Sequence, residues 1–308
     1  MMQNQTTSPS SVKGWERPLL ILIPYLIIAG IFQMLGFVVQ GLDPKNFQLP
    51  KTPLEELIVS LFTLLGTIVV VYLFRRSVDN ESFRSLGFDS KGILKELIIG
   101  LSMGAILIAI GFVILFMKDE IQWSSTNANT NNILLGFLLF LSVAFCEELL
   151  FRGYILNNLM KSMPGVFALI ICSVSFSLLH GFNPDYTWFS FWNLTMAGLL
   201  LGLPYIFTKS LWLPIALHFS WNFCQGTIFG FSVSGNTTYS LIEQSRLTDN
   251  LWNGGKFGFE GSVLSIVLQL IAFMGLWWYY HGKSKGSITK GVLETAKKEE
   301  VSKVSFER

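Results

Sequence analysis

Residues 133–155 of the chain read ILLGFLLFLSVAFCEELLFRGYI, an apolar run that contains three charged residues close together. The run is long enough to cross a bilayer, because a hydrocarbon core of about 30 Å requires about 20 residues that each rise about 1.5 Å. Glu147, Glu148 and Arg152 nevertheless lie within it. A charged side chain at the bilayer centre costs about 2.5 to 3.5 kcal/mol on insertion scales. We therefore expect a transmembrane helix whose charged groups are paired or functional.

The composition of the chain also indicates a membrane protein. Of its 308 residues, 51% are hydrophobic and 14% are charged, whereas soluble domains carry about 25% charged residues. The net charge of +2 provides no broad basic field, so we expect the lipid bilayer and not nucleic acid as a partner. The three cysteines lie in apolar stretches, where we expect free thiols and no disulfide framework.

Eight stretches of the chain are long and apolar enough to span a bilayer. They run approximately from 19 to 39, 57 to 74, 97 to 117, 133 to 155, 165 to 182, 187 to 207, 211 to 230 and 262 to 280. The predicted fold class is therefore all-α, a polytopic membrane protein with about eight transmembrane helices.

The spans divide the chain into four regions. Residues 1–132 form an N-terminal cytoplasmic leader and the first three transmembrane helices, and residues 133–230 form a core. Residues 231–281 form an outer loop and the last transmembrane helix, and residues 282–308 form a charged cytoplasmic tail.

The distribution of basic residues predicts the orientation in the membrane. Sixteen of the 22 Lys and Arg residues lie on the side that holds both termini, and five lie on the other side. Because cytoplasmic loops carry an excess of Lys and Arg, we expect a multi-pass plasma-membrane protein with both termini in the cytoplasm. We also expect a water-filled cavity that opens to the cytoplasm.

The two glutamates of the fourth span are expected to differ in role. Glu148 and Arg152 are four residues apart in the order that favours an intrahelical ion pair. Glu147 is rotated by about 100° from Glu148 around the helix, so it faces a different neighbour. We interpret Glu148 and Arg152 as structural support and Glu147 as the group free to act in a cavity.

Other strongly polar side chains fall in the fifth and seventh spans. They are His180, His218 and Asn222, and the last two share one helical face. Each alone would more often be an interhelical hydrogen-bonding group, and the Glu148–Arg152 pair could equally be structural. Together they suit the activation of water by a carboxylate, with donors that stabilise an oxyanion. A serine or cysteine nucleophile is less favoured, since serines on such helices usually bond backbone carbonyls.

Three short motifs resemble those of a known family. Residues 147–153 resemble the EExxxR motif, residues 176–180 the FxxxH motif and residues 218–222 the HxxxN motif of the CPBP intramembrane proteases. That family includes the CAAX prenyl endopeptidases of the Rce1 type and bacterial proteins linked to bacteriocin self-immunity. The resemblance covers about residues 133–230, and the first three spans and the tail carry no matching motif.

The resemblance implies a role for each motif residue. Glu147 would activate the hydrolytic water with help from His180, while His218 and Asn222 would stabilise the oxyanion. The family is often called metalloprotease, and Glu147, His180 and His218 could together bind zinc. No HExxH spacing is present, so we favour a mechanism that requires no metal.

The predicted function is therefore an intramembrane endopeptidase, glutamate-type or metal-dependent. Its substrate would be a peptide or a membrane-associated protein. The alternative is a non-catalytic membrane scaffold, immunity or transport protein that uses the same polar cluster for packing or partner binding.

Overall fold

The computed structural model describes residues 12–44, 51–89 and 92–282, and within them it contains a bundle of helices. In chain order the helices are α1 (Glu16–Val39), α2 (Pro53–Ser77), α3 (Ile93–Met117), α4 (Thr130–Leu159), α5 (Gly165–Phe182), α6 (Trp188–Thr208), α7 (Trp212–Asn222) and α8 (Val263–Gly282). Among the described residues, all of these except α7 are long and apolar enough to cross a membrane, which makes seven. The predicted class, an all-α polytopic membrane protein, is confirmed.

The seventh predicted span differs from the others in length. The segment predicted at 211–230 forms α7 and continues as a π-helix over Phe223–Ile228, so it is shorter than the other helices. The helix stops where Gly230 adopts a left-handed conformation with φ of 70°. The backbone N–H of Gly230 bonds the carbonyl of Gly226 at 3.1 Å, as is usual at a glycine that ends a helix.

Local sequence explains several helix starts. Thr52 and Glu55 form a capping box at the start of α2, in which each side chain bonds the other's backbone N–H. The side chain of Asn129 accepts a hydrogen bond from the N–H of Asn132 at the start of α4. Thr187 accepts one from the N–H of Ser190 at the start of α6. These caps satisfy backbone donors that a helix start leaves unpaired.

Glycines allow close helix packing in the bundle, where α1 packs on α2, α3 on α7 and α5 on α6. A Cβ atom at Gly100 or Gly104 of α3 would lie 2.8 or 2.7 Å from a backbone carbonyl oxygen of α7. Such contacts are too short for any larger residue. These two glycines therefore fix the distance between α3 and α7, the helix that carries His218.

The two ends of the bundle are different. At one end, the strands β1 (Gln122–Thr126) and β2 (Ile242–Ser245) pair in antiparallel fashion beside the starts of α2, α4, α6 and α8; we call this the loop end. The opposite end, which we call the basic end, carries Arg17, Arg75 and Lys161. Most of the predicted tail at 282–308 and residues 1–11 of the predicted leader lie outside the described residues.

Candidate active site

The predicted ion pair within α4 is present and fully buried. Nη1 of Arg152 donates to Oε1 of Glu148 at 2.7 Å, and both side chains are 0% exposed. The same carboxylate oxygen lies 2.8 Å from Nδ1 of His218 on α7. Nη2 of Arg152 donates to the carbonyl of Gly198 on α6 at 3.1 Å. The pair therefore ties α4 to both α6 and α7.

Two π-helical segments lie directly after motif residues. One covers Leu149–Leu156, immediately after Glu148, and the other covers Phe223–Ile228, immediately after Asn222. π-Helical turns are rare and frequently occur at functional sites. The apolar pattern of the sequence does not distinguish a π-helix from an α-helix, so this feature was not predicted.

Glu147 faces two imidazoles from different helices. Its Oε2 atom lies 3.6 Å from Nε2 of His180 and 3.8 Å from Nε2 of His218. Both distances are too long for a direct hydrogen bond. Oε2 is buried and has no hydrogen-bond partner in the described part of the chain. The carboxylate is therefore left unpaired beside two ring nitrogens.

The partners of the other ring nitrogens determine which tautomers are present. Nδ1 of His180 lies 2.8 Å from the carbonyl oxygen of Phe176, and Nδ1 of His218 lies 2.8 Å from the carboxylate of Glu148. Neither oxygen carries a hydrogen, because Glu148 is ion-paired, so both Nδ1 atoms must donate. A neutral imidazole then presents the lone pair of Nε2 toward Glu147, whereas a charged imidazole presents an N–H there. In either form the gap between Glu147 and the rings is wide enough for a water molecule to bridge.

The structure brings Glu147, His180, His218 and Asn222 into the lining of one cavity of about 490 Å³. Asn222 is 3% exposed, and its Oδ1 has no partner within the described residues. Glu148 and Arg152 lie behind this wall, outside the lining. Glu147 therefore faces the cavity and Glu148 does not, while the roles assigned to the two glutamates stay predictions.

The cavity extends toward the loop end of the bundle. Its lining reaches Lys51, Asn183 and Thr238, which lie in loops at that end. Within the described residues, the loops of the basic end contribute nothing to the lining. The sequence predicts cytoplasmic termini and a cavity open to the cytoplasm, but the start of α1 and the end of α8 lie at the basic end, opposite the loops that line the cavity. The two expectations are therefore difficult to combine in this structure, and the orientation stays a prediction.

The nearby serines and cysteine are engaged elsewhere. Ser177 donates to the carbonyl of Phe191 at 2.8 Å, and Ser220 donates to the carbonyl of Gly100 at 3.1 Å. The thiol of Cys146 pairs with the hydroxyl of Thr67 at 3.0 Å. The serines bond backbone carbonyls as expected, so the geometry offers no activated nucleophile.

The three groups around Glu147 have suitable chemistry for zinc but a poor arrangement. Ligands around a tetrahedral zinc ion with bonds of about 2.0 to 2.1 Å lie about 3.3 Å apart, shorter than the 3.6 and 3.8 Å found here. Within the described residues, no group of three or more His, Cys, Asp or Glu side chains is placed to hold a metal ion. Zinc binding would therefore require Glu147, His180 and His218 to move closer together.

Gln269 is one of several polar groups in the cavity wall that the sequence did not single out. Gln269 of α8 lines the cavity and bonds Asn193 of α6. The analysis considered charged residues, histidines and Asn222 inside the spans. The sequence signal that could have identified Gln269 is an uncharged amide in the middle of the last apolar stretch, because polar residues in membrane helices usually form hydrogen bonds to other helices.

The comparison with known families gives one match. Residues 129–224 match the family described as type II CAAX prenyl endopeptidase, Rce1-like. The matched segment begins just before α4, contains all three motifs and covers about a third of the chain. No curated protein matches the chain. The match supports a CAAX-type protease and does not extend to the bacteriocin-immunity branch. Residues 129–224 are therefore similar to the Rce1-like family, and the three motifs that resemble those of the CPBP proteases lie within this segment.

Proposed function

We propose that the protein is an intramembrane endopeptidase in which Glu147 activates the hydrolytic water. The observation that carries this proposal is a buried carboxylate oxygen of Glu147 that has no hydrogen-bond partner among the described residues and lies beside two ring nitrogens in the wall of a cavity. A water molecule supplies two hydrogens, and the separations of 3.6 and 3.8 Å leave a gap that it can bridge. A purely structural cluster would instead pair these groups with each other.

The geometry supports a definite path for the protons. The water donates one hydrogen to Oε2 of Glu147 and the other to Nε2 of His180, which leaves an oxygen lone pair for the peptide carbonyl carbon. As the C–O bond forms, the first proton passes to Glu147. Glu147 then gives it to the amide nitrogen as the C–N bond breaks, and the products are an amine and a carboxylic acid that keeps the second proton of the water.

His218 and Asn222 stabilise the negative charge that develops on the oxygen of the attacked carbonyl. The carboxylate of Glu148, 2.8 Å from Nδ1, stabilises the charged form of His218. In that form Nε2 also carries a hydrogen and can donate to the oxyanion, together with the side-chain N–H of Asn222. Arg152 holds the carboxylate of Glu148 in position, so this pair acts through His218 and does not contact the substrate.

The proposed reaction needs no metal cofactor. The test is to incubate purified protein with phenanthroline and then with added zinc. We expect cleavage to stay within about twofold of the untreated rate, because Glu147 can accept the proton directly. If chelation removed activity and zinc restored it, with about one zinc per chain, the water would be metal-activated instead.

The proposal places the basic end, with both termini, in the cytoplasm and the open end of the cavity on the opposite face. The excess of Lys and Arg at the basic end supports this orientation. The substrate would then be a peptide or a membrane protein segment that approaches from outside the cytoplasm. This orientation agrees with the one predicted from the Lys and Arg residues, but the cavity then does not open to the cytoplasm.

Thiol labelling tests the orientation. Asn129→Cys at the loop end and Arg76→Cys at the basic end, both exposed positions, are made in a background without the three native cysteines. An impermeant maleimide added to intact cells should label Asn129→Cys alone. Labelling of Arg76→Cys alone would reverse the orientation and restore a cavity that faces the cytoplasm.

The proteolytic function itself is tested by comparing peptides in membranes of cells that produce the wild type or Glu147→Gln. We expect peptides that appear only with the wild type. Glu96→Gln is the matched control, because Glu96 is a carboxylate on α3 that bonds Ser210 and lies outside the cavity lining. Identical peptide patterns for the wild type and Glu147→Gln would favour the non-catalytic scaffold.

A further inference from the structure

A buried polar cluster joins α6 and α8 beside the cavity. It consists of Asn193, Ser262, Ser265 and Gln269, each 0% exposed. Nδ2 of Asn193 donates to the backbone carbonyl of Ser262 at 2.9 Å. Oδ1 of Asn193 accepts from Nε2 of Gln269 at 2.7 Å and from the hydroxyl of Ser265 at 3.2 Å. Ser262, Ser265 and Gln269 lie outside the family match and Asn193 lies within it, but none of the four belongs to the three motifs.

The bonds within this cluster fix the orientation of the Gln269 amide. The carbonyl of Ser262 can only accept, so the Asn193 atom that faces it must be nitrogen and its other atom oxygen. That oxygen faces Gln269, so the Gln269 atom there must be nitrogen. The same nitrogen donates to the hydroxyl of Ser265 at 2.8 Å. A flip of the Gln269 amide would place oxygen against oxygen, so its Oε1 position is determined.

Oε1 of Gln269 is left without a partner. It is buried and accepts no hydrogen bond in the described part of the chain, although Gln269 belongs to the cavity lining. An unsatisfied buried acceptor is costly, and native proteins contain few of them. The adjacent lining from α6 is apolar, with Leu194, Ala197 and Leu201. An extended peptide provides the matching chemistry, since it carries backbone N–H donors between apolar side chains.

We propose that Gln269 binds the substrate by accepting a hydrogen bond from one of its backbone N–H groups. This inference rests on the proposed proteolytic function. It assigns the wall formed by α6 and α8 as the side on which the substrate chain lies while Glu147 attacks it. A bridging water on Oε1 is the competing occupant, and it would make no contact specific to one peptide bond.

The test uses backbone N-methylation, which removes one N–H donor at a time. Purified protein is given a pool of a farnesylated CAAX peptide and unmodified apolar peptides, and the peptide cleaved fastest is remade with single N-methyl groups. One position should lower kcat/KM by about 3- to 10-fold, mainly through KM, as a neutral hydrogen bond of about 0.5 to 1.5 kcal/mol predicts. In Gln269→Met, methylation at that position should change kcat/KM by less than about twofold, because the acceptor is gone.

Gln225 provides a matched control. It is also 0% exposed, its Nε2 bonds a backbone carbonyl and its Oε1 lacks a partner within the described residues, but it lies outside the cavity lining. Gln225→Met should keep the full effect of N-methylation. If Gln269→Met accumulates poorly, Gln269→Ala replaces it.

Two outcomes would overturn the inference in different ways. Gln269 would bind no substrate N–H if N-methylation lowered kcat/KM equally in the wild type and the Gln269 variant, or if it had no effect in the wild type. Either result would leave the proposed proteolytic function intact. No cleavage of any peptide by the wild type would instead contradict the proposed function, on which the inference depends.

Discussion

Two buried charged clusters in the molecule differ in how completely their groups are paired. At the basic end, Asp79 lies 2.8 Å from Arg75 and 3.2 Å from Arg17. Glu81 lies 2.5 Å from Arg75 and 2.6 Å from Lys161. Each charged group of this basic-end cluster faces an opposite charge. In the cavity cluster, Glu148 is paired in the same way, but Glu147 is not.

The difference separates structural from chemical roles. The basic-end cluster joins the start of α1, the end of α2 and the end of α4, and none of its residues lines the cavity that contains Glu147. Its opposite charges hold these helices together, although Oδ1 of Asp79 contacts Arg17 without a hydrogen bond. In the cavity cluster, Glu147 has no Lys or Arg partner among the described residues and lies at the cavity surface beside two ring nitrogens, so these groups are available to water and substrate. An opposite charge on every group favours a structural role, and a carboxylate without a Lys or Arg partner beside a cavity favours catalysis.

Neutral isosteres in the two clusters should have opposite effects. Glu147→Gln should lower cleavage by about 10²- to 10⁴-fold, the usual contribution of a general base, with little change in thermal stability. Asp79→Asn should leave the buried Arg17 without its counter-charge and Arg75 with Glu81 alone, and should destabilise the fold by about 3 to 5 kcal/mol. Activity per folded molecule and the melting temperature in detergent measure the two effects. Full activity of Glu147→Gln would contradict the catalytic role assigned to the cavity cluster.

The paired half of the cavity cluster should behave like the basic-end cluster. Arg152→Ala removes the partner of Glu148 and leaves a fully buried carboxylate, a change that costs about 3 to 5 kcal/mol. We expect a lower yield of folded protein and a lower melting temperature. Arg84→Ala is the control, because Arg84 is exposed and its pairing with Asp89 is 3.5 Å long. Equal stability of the two variants would contradict a structural role for Arg152.

Asn222 should affect the rate and leave the fold intact. Asn222→Ala removes one donor to the oxyanion, and loss of a single such donor typically lowers kcat by about 10²- to 10³-fold. Asn157→Ala is the control, because Asn157 bonds Tyr205 at 2.7 Å outside the cavity lining. Steady-state rates on the same peptide compare the two. A rate loss below about threefold would remove Asn222 from the oxyanion site.

The helical fold and the motif residues could be predicted because the underlying signals are local. Apolar runs determine which segments span the membrane, and the spacing of Glu148 and Arg152 determines their pairing within one helix turn. The orientation of the cavity could not be predicted in the same way. It depends on which loops meet at the loop end, and Lys51, Asn183 and Thr238 are distant from each other in sequence.

The basic-end cluster also contains contacts that could not be predicted from the sequence. Arg75 is one of the sixteen basic residues assigned above to the cytoplasmic side. Its spacing from Asp79 is that of an ion pair in a helix, so this one contact could have been predicted. The contact of Asp79 with Arg17 depends on the packing of α1 against α2, which no local pattern contains. The same holds for Gln269 and Asn193, whose partners lie on different helices.

Substitution of Glu81, at the exposed edge of the basic-end cluster, should have the smallest effect on stability of these changes, and the effect should depend on pH. Partial burial alone would raise the pKa of Glu81, but the hydrogen bond from Lys161 and the charges of Arg75, Lys161 and Arg17 outweigh it and lower that pKa below its ordinary value of 4.5. A carboxylate with a lowered pKa contributes stability above its unfolded-state pKa and loses it as the pH falls through the folded-state pKa. Because Glu81 is more than a third exposed, the contribution should be at most about 1 kcal/mol. Glu81→Gln should therefore melt about 1 to 3 °C below the wild type at neutral pH, and the gap should close as the pH falls below 4.5. A gap that stays constant from neutral to acidic pH would show that Glu81 stabilises the protein by packing and not by its charge.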